Sequence, residues 1–217
     1  MNVLIVPGHT MQGTGTGANA YINESEENRT LSKIVVKYLE YAGHNVDYYE
    51  VNEATDYLAK QVAKANSKDY DLVVQIHFNA HKTTENAMGT ETYYISDSGK
   101  VWAEKVNDKL STVFKNRGVK KGEGLYWLKN SKPIAILIET CFVDSKSDTN
   151  TYKLNKEYIG RLIAEAINRK EIKEVKQSEV FYRVVAGSYS NKENAQKQIE
   201  NLKKKGIDNA FIDVYKK

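Results

Sequence analysis

Short apolar runs alternate with amphipathic segments through roughly the first 170 residues of the chain. The apolar runs have the length of buried strands, and the apolar residues between them recur at the spacing of a helix face. The predicted strands are residues 3–6, 46–51, 72–76, 90–95 and 134–138, and the predicted helices are residues 31–42, 53–65, 101–114 and 159–167. Strands that alternate with helices predict an α/β fold, with a mostly parallel sheet flanked by helices.

The pattern changes towards the carboxyl end. Residues 171–179 are highly charged and contain few apolar positions, which is typical of a linker. Residues 180–217 then have the pattern of a small βαβ module. Its predicted elements are a strand at 182–189, a helix at 191–205 and a strand at 210–215. We therefore predict a main domain at residues 1–170, a linker and a second, smaller domain.

Composition excludes several classes of protein. Apolar residues make up 41% of the chain and charged residues 28%, so a core can form. No long uncharged apolar segment is present, and we predict no transmembrane helix and no membrane partner. The single cysteine, Cys141, excludes an intrachain disulfide and a cysteine-rich zinc finger. The first residues lack the pattern of a secretory signal, so we expect synthesis in the cytoplasm.

Positive charge is concentrated in the small domain. Residues 180–217 contain eight Lys/Arg and four Asp/Glu, and their net charge of +4 equals that of the whole chain. A basic surface suits an anionic polymer such as a cell wall or a nucleic acid. A solvated lysine-rich helix face would explain the same residues. The small excess and the absence of a recognisable stacking motif argue against nucleic acid.

Three polar residues lie at the carboxyl ends of predicted buried strands. His9 follows the first strand after Pro7-Gly8. His77 is the residue immediately after the strand at 72–76, and Glu139 is the residue immediately after the strand at 134–138. Ligands of open α/β sheets bind outside the carboxyl ends of the strands, so these side chains could converge. Zinc accepts imidazole and carboxylate ligands, and a catalytic zinc site has three of them plus water. Hydrogen-bonding roles in loops would also explain either histidine alone.

A third ligand would have to come from elsewhere if Glu139 transfers protons. Glu24, Glu26 and Glu27 lie at the start of the first predicted helix, after the loop that follows the first strand. Acidic residues in a first helical turn also stabilise the helix dipole, which is the alternative explanation.

The ordered motifs resemble a known family. They are Pro7-Gly8-His9, Asn23-Glu24, Gln75-Ile76-His77-Phe78-Asn79-Ala80 and Ile138-Glu139-Thr140-Cys141-Phe142-Val143. Over residues 1–169 this set is similar to the zinc-dependent N-acetylmuramoyl-L-alanine amidases of autolysins and phage endolysins. The resemblance implies hydrolysis of the amide bond between N-acetylmuramic acid and L-alanine in bacterial peptidoglycan.

The resemblance also implies the roles of the site residues. His9, Glu24 and His77 would bind Zn²⁺, and Glu139 would be the general acid and base for a zinc-activated water. Asn28 lies four residues after Glu24, as the family pattern requires, although an alignment on the helix leucine would favour Glu26. The family commonly has an acidic residue where this chain has Val6, which removes a partner for the first histidine.

Other side chains have competing interpretations. Cys141 could act as a nucleophile, but its apolar neighbours favour a small buried hydrophobic residue. His44 and His81 are predicted to lie at the surface, where His81 could contact substrate.

Residues 180–217 resemble a SPOR repeat, which binds glycan strands of peptidoglycan. A complete SPOR domain contains the βαβ unit twice, whereas this chain has one. A half-length repeat leaves a sheet edge unpaired, so we predict a homodimer through this module or docking on the main domain.

Two other functions stay open at this point. The protein could be a catalytically inactive peptidoglycan-binding protein, or a zinc peptidase or deacetylase of another specificity. As an enzyme of the cell wall without a visible signal, it would reach its substrate after lysis or through a holin.

Overall fold

The computed structural model describes residues 1–173 and 185–214. The chain forms two compact units, Met1–Val175 and Lys176–Lys217. The elements of the first unit are β1 (Asn2–Pro7), α1 (Glu24–Tyr41), β2 (Asn45–Tyr48), α2 (Tyr57–Ala65), β3 (Leu72–Asn79), β4 (Thr90–Tyr94), α3 (Asp97–Leu110), β5 (Asn116–Lys121), α4 (Tyr126–Asn130), β6 (Ala135–Phe142) and α5 (Lys146–Asn168).

One six-stranded sheet organises the first unit, with the strand order β2-β1-β3-β6-β4-β5. β2, β1, β3 and β6 are parallel, whereas β4 runs antiparallel to β6 and parallel to β5. The predicted α/β class with a mostly parallel sheet is therefore confirmed. The antiparallel direction of β4 was not predicted, because an apolar pattern contains no information on strand direction.

Apolar side chains alternate between the two faces of the sheet. Val3, Ile5 and Ile76 belong to the larger cluster, in which α1, α3 and α5 cover one face. Leu4 and Val6 belong to the smaller cluster, in which α2 and α4 cover the other face. This period-two division explains why the central strands read as continuous apolar runs: both faces are buried.

Two elements were missed by the sequence patterns. β5 has the sequence Asn-Arg-Gly-Val-Lys-Lys with one apolar residue, because it is an edge strand with a largely polar environment. α4 has five residues, fewer than two helical turns, so it shows no periodicity. No helix within the described residues combines the length and the apolar character that a bilayer span requires.

The second unit has one described helix, α6 (Lys192–Lys204), which confirms the predicted helix. Its Asn191 side chain caps the helix by accepting a hydrogen bond from the Glu193 amide at 2.7 Å. Residues 185–189 and 210–214 are not in strands, so the two predicted strands of the βαβ module are wrong over these residues. A strand needs a neighbour that accepts its backbone hydrogen bonds, and these segments pair with none of the described residues. Positions 182–184 and 215 lie outside the described residues.

Candidate metal centre

The sheet brings two histidines to one edge. β1 and β3 are parallel neighbours, with Pro7 opposite Ile76, so their carboxyl ends coincide. His9 lies two residues beyond β1, and His77 follows Ile76 within β3. Glu24 is the first residue of α1, where the side chain of Asn23 caps the helix. The helix therefore begins at the edge of the sheet that carries both imidazoles.

Glu24 lies between the two imidazoles. Its Oε1 is 3.1 Å from Nε2 of His9 and 3.0 Å from Nδ1 of His77. The two rings are 4.7 Å apart between centroids and nearly perpendicular, at 79°. One ligand atom from each of the three residues lies within 4.8 Å of the others. Two imidazoles and a carboxylate at these distances can share one divalent cation.

Two glycines allow this close approach. A Cβ atom on Gly8 would lie 2.2 Å from the ring of His77, and one on Gly17 would lie 2.7 Å from Oε2 of Glu24. His9 itself has a φ of 63°, in the left-handed region that non-glycine residues seldom adopt. Backbone strain at this point indicates that the surrounding loop holds His9 in a required orientation.

Hydrogen bonds orient the candidate ligands. Nδ1 of His9 lies 2.9 Å from the carbonyl oxygen of Gly15, which can only accept, so Nδ1 carries the proton. The other ring nitrogen, Nε2, lies 3.1 Å from Oε1 of Glu24, so it donates to this carboxylate when protonated and offers a lone pair to a cation once it has lost that proton. The amides of Ala18 and Phe78 donate to Glu24 at 2.9 and 3.2 Å, which fixes the carboxylate.

The charge states of Glu24 and His77 suit a cation. Burial would raise the pKa of Glu24, but hydrogen bonds from His77 and His9 outweigh this effect and lower it well below its usual range. Burial lowers the pKa of His77, against the effect of Glu24, and favours the neutral imidazole. For His9, burial lowers the pKa, but the hydrogen bond and charge of Glu24 reverse this to a net rise. Glu24 is therefore ionised and His77 is neutral, which are their ligand forms, whereas His9 has to release its additional proton when a cation binds.

Glu139 lies next to this cluster on β6, directly opposite His77 in the parallel ladder. Its Oε2 is buried and has no hydrogen-bond partner among the described residues. Burial first, then the charges of Glu24 and Glu91, raise the pKa of Glu139 well above its usual range. A carboxyl group that binds a proton this readily can exchange one with a reacting group.

A second buried carboxylate, Glu91, was missed by the sequence reasoning. It lies on β4 opposite Glu139 and is 2% exposed. Its carboxylate accepts hydrogen bonds from Asn79 and Tyr93, both at 2.8 Å, and from Arg117 at 2.6 Å and Lys120 at 2.5 Å. The only signal in the sequence is an acidic residue inside a strand pattern, and its cationic partners lie on the unpredicted β5.

The remaining candidates lie away from the cluster. Glu26, the alternative to Glu24, is exposed on α1, and His81 is exposed in the loop after β3. His44 forms a hydrogen bond of 3.0 Å with Asn168. Cys141 is completely buried, and burial raises the pKa of its thiol well above the usual range, so it is not poised as a nucleophile.

The fold and the donor set define an α/β protein with a His-Glu-His cluster suited to a divalent cation and a protonatable carboxyl group beside it. The sequence profile of the N-acetylmuramoyl-L-alanine amidase family matches residues 3–169. The chain belongs to this family. A SPOR domain profile matches residues 154–213, of which the first part lies in α5 of the first unit.

Individual relatives include an uncharacterized protein and a named amidase. An uncharacterized protein of Clostridium perfringens is 40% identical over 80% of this chain and 53% of its own length. The N-acetylmuramoyl-L-alanine amidase LytC of Bacillus subtilis is 32% identical over 70% of this chain and 31% of its own length. The chain thus spans about half the length of the first relative and less of the second.

Solved structures show the same fold. The catalytic domain of the CD27L endolysin targeting Clostridia difficile is 35% identical, with a TM-score of 0.74, over 80% of this chain and 99% of that one. The amidase AmiC2 of Nostoc punctiforme is 29% identical, with a TM-score of 0.66, over 78% of this chain and 93% of that one.

Proposed function

We propose that this protein hydrolyses the amide bond between N-acetylmuramic acid and L-alanine in bacterial peptidoglycan. The observation that carries the proposal is the meeting of His9, Glu24 and His77 beside the buried carboxyl group of Glu139. Family membership supplies the substrate, and the geometry supplies the residues that could act on it.

We propose Zn²⁺ as the cation and His9, Glu24 and His77 as its ligands. The chemistry of the donors fits zinc, which takes two imidazoles and one carboxylate and leaves a fourth position for water. Hard cations such as Mg²⁺ prefer all-oxygen ligands, which this cluster does not offer. When bound, zinc supplies a water of lowered pKa and polarises the scissile carbonyl group.

Glu139 would move the proton. Its carboxylate accepts a proton as water adds to the carbonyl carbon, and its carboxylic acid then donates that proton to the nitrogen of L-alanine. A single group can do both because its buried position favours the protonated state, while the bound cation favours the ionised one. Proton transfer by a positioned side chain contributes about 10²–10⁴-fold to such rates.

Product analysis tests the reaction. Purified cell walls would be digested with and without a chelator, and then after zinc is restored. We expect zinc-dependent release of alanine amino groups without new reducing sugar ends. Reducing ends would show a glycosidase, and binding to walls with neither product would show an inactive wall-binding protein.

A pair of variants on one helix tests the ligand assignment. Glu24→Gln should lose stoichiometric zinc, whereas Glu26→Gln should keep it, because only the first of these carboxylates contacts the imidazoles. Metal content would be measured by mass spectrometry of the purified proteins. Equal zinc content in both variants would reject Glu24 as a ligand.

We also infer that the second unit contacts glycan strands of peptidoglycan and that it pairs with a second copy of the chain. The SPOR profile match supports the first role. Exposed apolar side chains support the second, since Val185, Phe211 and Val214 are each more than two-thirds exposed.

A further inference from the structure

The polar residues of the site form a line across the sheet. His77 on β3 lies opposite Glu139 on β6, and Glu139 lies opposite Glu91 on β4. Residues directly opposite each other project from the same face of a sheet. Because neighbouring strands are about 4.8 Å apart, the line leads from the candidate metal ligands to Glu91 over roughly 10 Å.

Two cations lie at the far end of this line. Arg117 Nε and Lys120 Nζ both donate to the same oxygen of Glu91, at 2.6 and 2.5 Å. The guanidinium carbon of Arg117 is 4.9 Å from the ring centroid of Phe142, so this side chain reaches from β5 back to β6. The guanidinium of Arg117 therefore lies beside the strand that carries Glu139, and Lys120 lies beside β4, where its Nζ is 5.9 Å from the ring centroid of Tyr93.

Glu91 does not neutralise both positive charges or accept from every hydrogen-bond donor of Arg117 and Lys120. Its carboxylate already accepts four hydrogen bonds, including those of Asn79 and Tyr93, which fills about four lone-pair positions. Two positive charges facing one negative charge leave an excess of one. Nη1 of Arg117 lies 3.4 Å from the carbonyl oxygen of Met88, and Nη2 donates to no group in the described part of the chain. The side chains of Arg117 and Lys120 are 31% and 40% exposed.

We propose that Arg117 and Lys120 form an anion subsite that binds a free carboxylate of the stem peptide on the alanine side of the scissile amide. This inference rests on the proposed amidase function. The sugars of the glycan strand are neutral, and the lactyl carboxyl group is consumed in the amide, so the free carboxylates of the substrate lie on its peptide.

The reach of the peptide agrees with this position. An extended chain covers about 3.3–3.6 Å per residue, so about 10 Å corresponds to the second or third residue after the bond. Alanine, the first residue, has no side-chain charge. The first available group is the α-carboxylate of a D-isoglutamate at the second position, and the next is the carboxylate of a diaminopimelate at the third.

Two matched substrate pairs test the subsite. The first pair is N-acetylmuramoyl-L-alanyl-D-isoglutamate and its D-isoglutamine analogue, which differ in one carboxylate. The second pair carries diaminopimelate or lysine at the third position. We expect the zinc-loaded enzyme to prefer the acidic member of one pair about ten-fold in kcat/KM, mainly through KM, as for a charge-assisted contact. The pair that responds identifies the carboxylate.

Variants then connect the preference to the residues. Arg117→Gln and Lys120→Met should each abolish most of the preference, because each weakens binding of the member that has the additional carboxylate. Lys121→Met is the matched control, because it removes a charge from the same strand at a side chain that pairs with Glu123 instead. Thermal unfolding checks that each variant is folded.

Binding without turnover separates this inference from the proposed function. Titration calorimetry with L-alanyl-D-isoglutamate, its amide and the corresponding tripeptides needs no catalysis. Walls left intact by an enzyme that still prefers the acidic peptide through Arg117 would reject the amidase and keep the subsite. Equal use or binding of both members in both pairs would overturn the subsite. Equal losses on both members in Arg117→Gln would show that the cation only supports Glu91.

Discussion

The two units of this protein differ in how completely their apolar side chains are buried. In the first unit, both faces of the sheet are covered, and side chains such as Leu31 and Val74 are completely buried. In the second, no residue of α6 is buried, and Phe211 is 73% exposed. Hydrophobic stabilisation scales with the apolar area removed from water, so the first unit gains far more of it than the described residues of the second, 185–214.

The same difference applies to chemistry. Every residue of the candidate metal centre lies in the first unit, where a packed core can hold Glu24 and Glu139 away from water at fixed distances. Exposed side chains such as those of α6 cannot be held in this way, but they can bind an extended polymer. A unit with a packed core can therefore hold catalytic groups in place, and a unit with exposed side chains can contact a polymer.

The largest expected effect is the loss of catalysis in Glu139→Gln. Hydrolysis of purified walls should fall about 10²–10⁴-fold, because the amide cannot exchange the proton, while zinc stays bound. Glu193→Gln on α6 is the matched control and should keep the normal rate. A Glu139→Gln protein that digests walls at the normal rate would contradict the role of Glu139.

The next largest effect is the difference in unfolding free energy between two leucine-to-alanine variants, one on a helix of each unit. Leu31→Ala should lower the free energy of unfolding by about 2–5 kcal/mol, since it leaves a cavity between α1 and α5. Leu202→Ala on α6 should change it by less than about 0.5 kcal/mol. Denaturant titration of both variants gives the two values. Equal losses would mean that the second unit is as well packed as the first.

A smaller effect is expected at the glycine against which His77 packs. Gly8→Ala would place a methyl group into the imidazole ring, and we expect zinc affinity to fall about 10–100-fold as the ring shifts. Gly124→Ala is the control, because nothing lies within 4 Å of its added carbon. Competition with a chromophoric chelator measures both affinities. Unchanged affinity in Gly8→Ala would show that the ring does not depend on this contact.

The smallest effect concerns self-association of the second unit. We expect a concentration-dependent dimer in sedimentation velocity, and Phe211→Ser should weaken it about ten-fold by removing an exposed aromatic contact. Tyr126→Ser, at an exposed tyrosine of the first unit, should leave association unchanged. A protein that is monomeric at all concentrations would reject the pairing.

Much of the first unit could be predicted because burial acts on each position separately. The run at residues 134–138 identified β6, and the carboxyl ends of three predicted strands identified His9, His77 and Glu139 as candidates. The antiparallel direction of β4 and the existence of β5 could not be predicted. An edge strand with one apolar residue gives no burial signal. The positions of Arg117 and Lys120, which lie on this strand, could therefore not be predicted.

Periodicity and strand ends were enough to derive an α/β sheet with candidate chemistry at its carboxyl edge, since apolar patterns report which faces are buried. They could not choose between Glu24 and Glu26, which lie about 200° apart around a helix, so the packing of α1 makes the choice. The contact from Glu24 to His77 spans 53 positions, and that from Arg117 to Glu91 spans 26. The local sequence does not determine which residues meet over such separations. These contacts depend on how the strands and helices pack in the folded sheet.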